Sequence, residues 1–463
     1  MNFKNKKVAI LGLGVEGISS IKFLKNKEVK IFVLDKSEKT ELEKVDLRIA
    51  EDAGVEFILG ASYLDDLSRF DIIIRTPGFH RLNQKLLDAE KKGVFITSLT
   101  KIFFDLCPCP IIGVTGTKGK GTTASLIYEM LLEAVKDVYL GGNIGTPPLN
   151  FLDHLTKKSI VVLELSSFQL QDLDKSPHIA VMLMTTSEHL DQHKDLYEYI
   201  DSKRNILRYQ TKDDFAIVNR DYPASHESDI YSDGNVFYVS RERAGKDGSF
   251  IRDGILWMQI DGSEKKIIDI KDILLPGKHN LENVAAAALA AHLAGVEREQ
   301  IVEVLKTFKG LVHRLELIAE IGGVKYYDDS FSTIPETTIA AIEAFTAPEI
   351  LILGGLSKNS DFTELGKVIS ESKNIKAIIG IGDEWWEIKS KITHSASSGQ
   401  ANQISNILLV EDAKDMHTVV LAASKISAPG DVVLLSPACA SFGMFKNYKD
   451  RGEQFRNEVL ALV

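Results

Sequence analysis

Residues Ile111-Ile112-Gly113-Val114-Thr115-Gly116-Thr117-Lys118-Gly119-Lys120-Gly121-Thr122-Thr123 read as a buried strand, a glycine-rich turn and a helix opening at Lys120. Such a turn aims several backbone N–H groups and a helix N-terminus at one small volume, which suits phosphate. Lys120 can reach the outer phosphates of a nucleoside triphosphate, and a nearby hydroxyl can hold Mg²⁺. The spacing departs from G-x-x-x-x-G-K-[ST]: no glycine stands five before Gly119, and Gly121 follows Lys120 directly. Thr122 is therefore the expected metal hydroxyl. A strand-turn-helix connection with extra glycine and no ligand is the bland alternative.

Working outward, the first ninety-odd residues alternate apolar strands with helical patterns. Lys7–Leu13 reads as a strand, Gly12-Leu13-Gly14-Val15-Glu16-Gly17 as the turn into a helix, and Val29–Asp35 as a second strand closed by an acid. This is the G-x-G-x-x-G fingerprint in a βαβ setting, expected to hold a dinucleotide or another nucleotide diphosphate. Ile72–Arg75 reads as a further strand.

A second domain is expected from residue 99 to 310. Ile160–Leu165, Ile179–Thr185 and Phe215–Asn219 read as its buried strands. Asn235–Ser240, Phe250–Arg252, Ile255–Ile260 and Lys265–Ile270 carry Asp-Gly turns and predict antiparallel hairpins. Gly277–Gly295 predicts an alanine-rich helix. A third α/β unit, 311–463, is expected from strands at Val324–Asp328, Ile350–Leu353, Ile375–Ile381, Ile407–Val410 and Val432–Leu435. The predicted fold class is thus α/β in three domains: Rossmann-like, P-loop-like with a small antiparallel sheet, and Rossmann-like again.

Composition narrows the function. A chain of 463 residues exceeds one hydrophobic core. Its net charge of −10 disfavours nonspecific nucleic-acid binding. Cys107, Cys109 and Cys439 form no disulfide framework and read as free thiols of a reducing cytosol. The charged start running into a strand predicts no secretory signal. No apolar run approaches the roughly 20 residues of a membrane span.

Several strand ends could carry chemistry. Glu164, at the end of a buried strand, is a Mg²⁺ ligand or the N-cap of the next helix. Thr185-Thr186-Ser187-Glu188-His189-Leu190-Asp191-Gln192-His193 gathers two histidines and two acids in one loop. Lys203 is solvated, or it is cationic or carbamylated and metal-binding. Asn280 and Asn283 share a helix face and read an adenine edge or cap the helix. Arg314, in His313-Arg314-Leu315-Glu316, could reach a phosphate. Lys358, Ser441 and Thr333 could present a surface to a small anion, or be ordinary polar loop ends.

In this order the motifs resemble the Mur ligases of peptidoglycan synthesis over essentially the whole chain. Glu164-Leu165-Ser166-Ser167-Phe168-Gln169 and Leu435-Ser436-Pro437-Ala438-Cys439-Ala440-Ser441, with Arg451-Gly452, are the most specific markers. The resemblance implies an ATP-dependent, amide-forming ligase of the cytoplasm, expected to be a monomer. It would add D-glutamate to UDP-N-acetylmuramoyl-L-alanine through an acyl phosphate.

It further implies that Gly116, Thr117, Lys118, Gly119, Lys120, Gly121 and Thr122 cradle ATP. Asn283, Arg314 and Asp329 would also contact ATP. Thr122 and Glu164 would hold one Mg²⁺, and His189 with a carbamylated Lys203 a second. Val15, Glu16, Asp35, Lys36 and Asn143 would meet the UDP-sugar. Thr333, Lys358, Ser441 and Tyr448 would receive the amino acid.

The third domain departs from the family pattern. Asp329-Ser330-Phe331-Ser332-Thr333-Ile334 stands where typical members have Asp-Ser-Lys-Ala-Thr-Asn. Lys358 lacks the usual preceding acid, Gly443 replaces an acid, and Tyr448 replaces a common Phe. A ligase adding L-glutamate, or a nucleotide-binding protein without ligase chemistry, are the alternatives these changes raise. Folylpolyglutamate synthases share the central phosphate loop, but they begin with the ATPase domain. An NAD-dependent dehydrogenase would leave that loop unexplained.

Overall fold

In the computed structural model, residues 2–134, 137–188, 192–356, 360–397, 407–411 and 413–462 are described, the last four of 360–397 by backbone alone. The chain divides into two compact units: Met1–Asp272 with Glu282–Val304, and Ile273–Leu281 with Leu305–Val463. Each is considered by itself.

The first unit holds two sheets. Strands β1 (Lys7–Leu11), β2 (Lys30–Asp35), β3 (Glu56–Leu59), β4 (Ile72–Arg75) and β5 (Phe95–Ser98) form an all-parallel sheet ordered β3-β2-β1-β4-β5. Their near-continuous apolar runs have a simple cause. Val8 and Ile10 enter one core while Ala9 and Leu11 enter the other, so both faces are covered. The chain turns to opposite sides of β1 to make β2 and β4. The glycine loop after β1 therefore lies at a switch point, where α/β sheets collect ligands.

The second sheet contains β6 (Ile111–Thr115), β7 (Val138–Gly142), β8 (Ile160–Glu164), β9 (Ile179–Met182), β10 (Phe215–Asn219), β11 (Asn235–Ser240), β12 (Gly248–Arg252), β13 (Ile255–Ile260) and β14 (Ser263–Asp269). Their order is β14-β13-β12-β11-β10-β9-β6-β8-β7. β6 lies between β8 and β9, again at a switch point, and the phosphate loop follows it.

The predicted antiparallel hairpins are present at β12, β13 and β14, and the reading of Asn235–Ser240 as part of them needs correction. β11 pairs in parallel with both β10 and β12, and only β12, β13 and β14 are antiparallel to one another. They extend the parallel sheet instead of forming one of their own. Local alternation specifies a strand but not the direction of its partner.

The second unit carries β15 (Glu316–Ile321), β16 (Val324–Asp328), β17 (Glu349–Gly354), β18 (Ile375–Ile381), β19 (Leu408–Val410) and β20 (Val432–Leu435), ordered β15-β16-β20-β17-β18-β19. All pairs are parallel except β15 with β16. β15 was not foreseen. Ile350 and Ile352 face one core, Leu351 and Leu353 the other.

Glu349 opens β17 fully buried. One carboxyl oxygen accepts from Asn374 Nδ2 at 2.6 Å; the other has no partner among the described residues. Burial pushes its pKa up to about 8. The stability linked to this protonated form is complete below the unfolded pKa near 4.5 and is lost as pH rises through about 8. Glu349→Gln should therefore gain roughly 2–4 kcal/mol over the wild type between pH 5.5 and 9. Urea unfolding of both proteins across that range measures the difference, and parallel pH profiles would refute it.

Candidate active site

The phosphate loop is built by its own sequence. β6 is buried along its length, and four residues separate its end from the helix Lys120–Ala134. Gly116 and Gly119 take φ of +152° and +86°. A Cβ on Gly119 would lie 2.1 Å from Asn283 Oδ1, so glycine is required there twice over. Thr117 pins the loop: its N–H donates to Met184 O at 2.7 Å, and its hydroxyl meets Thr186 O, Thr186 N–H and Tyr199 Oη at 2.9–3.0 Å.

Two lysines converge on this loop. Lys120 Nζ donates to Gly116 O and Thr117 O at 3.0 and 2.9 Å, and Lys203 Nζ donates to Gly116 O at 2.8 Å. Lys203 is buried and lies over the Tyr199 ring at 4.6 Å. The solvated reading of Lys203 therefore falls. Burial first, and the neighbouring Lys120 charge second, hold its amine well below the usual lysine range; Glu188 and Glu164 pull the other way. Lys118 pairs with Glu188 at 2.6 Å.

Glu164 ends β8 in register with Val114 of β6. Its Oε1 accepts from Asn143 Nδ2 at 2.8 Å, while Oε2 is buried with no partner among the described residues. Capping does not account for it, because Ser166 caps the short helix Ser167–Leu170 in a capping box with Gln169. An orphaned carboxylate oxygen at a strand end, with the half-buried Thr122 hydroxyl on the first turn after the loop, is a hard-oxygen donor set that fits Mg²⁺. A second metal is a different matter. Lys203 in its protonated form has no lone pair to offer a metal, and an amine is a poorer ligand for Mg²⁺ than an oxygen donor, while His189 lies outside the described residues.

The loop's other histidine, His193, is a buried tie. Its Nε2 meets Ser167 Oγ at 2.9 Å and its Nδ1 meets Glu198 Oε2 at 2.6 Å, with Phe168 stacked 4.9 Å away. It links the Glu164–Gln169 motif to the helix Leu196–Arg208, which carries Lys203. Asn283 sits against the phosphate loop, with Thr123 Oγ1 3.4 Å away. Asn280 instead donates to Pro276 O at 2.6 Å.

At the first glycine loop, Val15 is exposed and Lys36 is exposed. Asp35 receives the N–H groups of Leu13 and Ser37 at 3.0 and 2.9 Å. Glu16 accepts from Gln169 Nε2 at 2.8 Å, and burial raises its pKa. That contact joins the first sheet's loop to the Glu164–Gln169 motif. Arg75, which the sequence reading passed over, reinforces it: fully buried, it donates to Asp172 Oδ2 at 2.6 Å and to the carbonyls of Phe79 and Phe168. A charged residue closing the apolar run Ile72–Arg75 was the available signal.

The second unit gathers its own strand ends. His313 Nδ1 meets Asp328 Oδ2 at 2.6 Å. Asp329 receives Leu315 N–H and Ser436 Oγ–H at 3.2 and 2.7 Å, and burial raises its pKa to about 7. Arg314 lies over the Phe331 ring, with its guanidinium carbon 3.8 Å from the centroid. Ser441 is buried, Thr333 and Tyr448 are half-buried, and Lys358 lies outside the described residues. The buried Arg451 joins Ser330 to Cys439.

Three family models match the chain: "Mur ligase MurD-like, N-terminal domain" over residues 6–98, "Mur ligase middle domain" over 114–291 and "Mur ligase, glutamate ligase domain" over 313–439. Among curated relatives, a UDP-N-acetylmuramoylalanine–D-glutamate ligase from Acetivibrio thermocellus is 39% identical over 99% of this chain and 97% of its own. One of the same name from Symbiobacterium thermophilum is 36% identical over 99% and 98%. Among solved structures, a UDP-N-acetylmuramate–alanine ligase from Thermotoga maritima aligns with a TM-score of 0.56 at 16% identity, covering 99% of this chain and 100% of its own. MurF from Acinetobacter baumannii gives 0.58 at 16% over 88% and 83%. At such identities these structures speak for the three-domain α/β fold alone.

Proposed function

The chain belongs to the Mur ligase family, and from that premise we propose that it joins D-glutamate to UDP-N-acetylmuramoyl-L-alanine at the expense of ATP, the reaction of its curated relatives. It would do so in the cytoplasm, where ATP is supplied. The observation that carries this reading is the buried Glu164 oxygen with no partner among the described residues, on a residue in register with the strand that feeds the phosphate loop.

A carboxylate is a poor acyl donor. The alanine carboxylate attacks the γ-phosphorus of ATP, ADP leaves, and an acyl phosphate forms. The glutamate amine then attacks the acyl carbon; orthophosphate leaves with the C–O bond electrons, and the nitrogen sheds a proton. Little of this needs covalent help from the protein, so positioning and charge are its contribution.

Lys120 turns from its carbonyl partners to the phosphates, and the loop 116–122 supplies N–H donors. Asn283, Arg314 and Asp329 complete the ATP contacts. Thr122 and Glu164 would hold one Mg²⁺, and His189 with a carbamylated Lys203 would hold a second. Mg²⁺ supplies the positive charge that the transferring phosphoryl group requires. The Lys203 carbamate forms when the neutral amine adds to CO₂ and loses a proton, and a buried, depressed amine favours that form. Val15, Glu16, Asp35, Lys36 and Asn143 serve the UDP-sugar; Thr333, Lys358, Ser441 and Tyr448 serve glutamate. The division of labour is 1–98, 99–310 and 311–463.

The test is phosphate release from Mg-ATP with UDP-N-acetylmuramoyl-L-alanine and either glutamate enantiomer. Turnover with D-glutamate is expected. Turnover with L-glutamate alone, or with neither, overturns the assignment. Glu164→Gln keeps an acceptor for Asn143 but removes the charge, and should lower kcat about 10²–10³-fold. Raising Mg²⁺ should recover part of that loss; unchanged kcat would remove Glu164 from the metal site.

A further inference from the structure

Arg314 sits in a strained loop. His313 and Leu315, its two neighbours, both take left-handed φ, +64° and +45°. Such backbone persists only where its surroundings hold it. Three contacts do so: His313 Nδ1 with Asp328, Leu315 N–H with Asp329 Oδ1, and Phe331 N–H with His313 O at 3.0 Å. The third brings Phe331 beneath Arg314. Its ring is 38% exposed, at a polar strand end where an apolar ring gains little from burial. It meets the Arg314 guanidinium carbon at 3.8 Å and the edge of Tyr448 at 5.1 Å and 89°. Tyr448 is itself fixed through its carbonyl by Ser330 Oγ–H at 2.8 Å.

We infer that Phe331, backed by Tyr448, is a positioning residue that holds the Arg314 guanidinium for the ligase reaction. This rests on the role given above to Arg314 toward ATP. A guanidinium at stacking distance from a ring keeps its N–H groups directed along its own plane, where phosphate oxygens are recognised in pairs. An aliphatic side chain of similar size would fill the space without fixing that plane.

The experiment compares F331L, F331Y, R314A and F331L/R314A in the full chain, by phosphate release against ATP concentration. F331L should raise the KM for ATP about fivefold, with a smaller change in kcat, while F331Y stays within about twofold of wild type. In the R314A background, F331L should add nothing further. Urea midpoints for all four separate this from unfolding. Wild-type kinetics for F331L, or an equal loss with and without Arg314, overturns the inference while leaving the role of Arg314 standing. Wild-type kinetics for R314A removes that role, and the inference with it.

Discussion

Replacing Lys203 with alanine should cut turnover about 10³-fold, and short carboxylic acids should restore part of it. The residue is unusual as an amine. It is buried, its only acceptor among the described residues is Gly116 O at 2.8 Å, and Lys120 donates to the same oxygen at 3.0 Å. Two lysine amines donating to one carbonyl in a buried place is a costly arrangement whenever both carry charge. Conversion of Lys203 to a carbamate turns one of them into an anion facing the other. Acetate or propionate entering the space left by the side chain would supply the same two oxygens. Lys203→Met should be as inactive as the alanine variant but beyond rescue, because its chain fills that space.

Stability should move the other way. A lysine held below its unfolded pKa of about 10.5 makes no demand on folding above that pH and destabilises increasingly as pH falls from there toward its folded value. Lys203→Met should therefore be at least as stable as wild type at pH 7, with the margin growing as pH falls from about 10.5 toward the folded value. Phosphate release with and without acetate, together with urea unfolding at pH 7 and 10, reads both effects. Full activity of Lys203→Ala would exclude the residue from the mechanism.

What was legible in the sequence follows the range of the interaction. The strand, turn and helix at 111–123 are written locally, since burial on both faces requires an unbroken apolar run and a turn at positive φ requires glycine. β4, β10, β13, β16, β18 and β20 have their expected bounds. Strand partners are not local, so Asn235–Ser240 was seen as a strand and misread as part of a hairpin. The same limit hid the long-range ties. Nothing near Arg75 announces Asp172, 97 residues away, and nothing near His193 in its polar loop announces that Ser167 and Glu198 lie on either side of it. Glu164 shows the converse. Its two readings were equal in the sequence, and the capping role of Ser166 removes one of them.

Arg451→Met should destabilise the second unit by about 3–5 kcal/mol, the usual cost of removing one member of a buried charged network. Arg451 is fully buried. Its Nε donates to Ser330 Oγ at 2.9 Å, one Nη to Ser330 O at 2.9 Å, and both Nη groups to Cys439 O at 3.1 and 3.2 Å. One planar fork therefore ties the loop after β16 to the loop after β20. Burial lowers its pKa only to about 10, so the charge is present at pH 7. Methionine would leave three acceptors unpaired and remove the positive charge near Asp328 and Asp329. Lysine would not replace it, since a point donor cannot span both loops.

The loss should be larger at pH 8 than at pH 6. The Asp329 carboxyl is already held up to about 7 by burial, and without Arg451 its ionised form becomes costlier still. Gly452→Ala should strike the same network from the other side. A Cβ there would stand 2.2 Å from His313 Nδ1 and 2.5 Å from Asp328 Oδ2, so the His313–Asp328 pair must part to admit it. Urea unfolding of both variants at the two pH values gives the answer. A midpoint for Arg451→Met unmoved from wild type would mean that the strand-end loops are held by their backbone bonds alone, and the fork would be incidental to the fold.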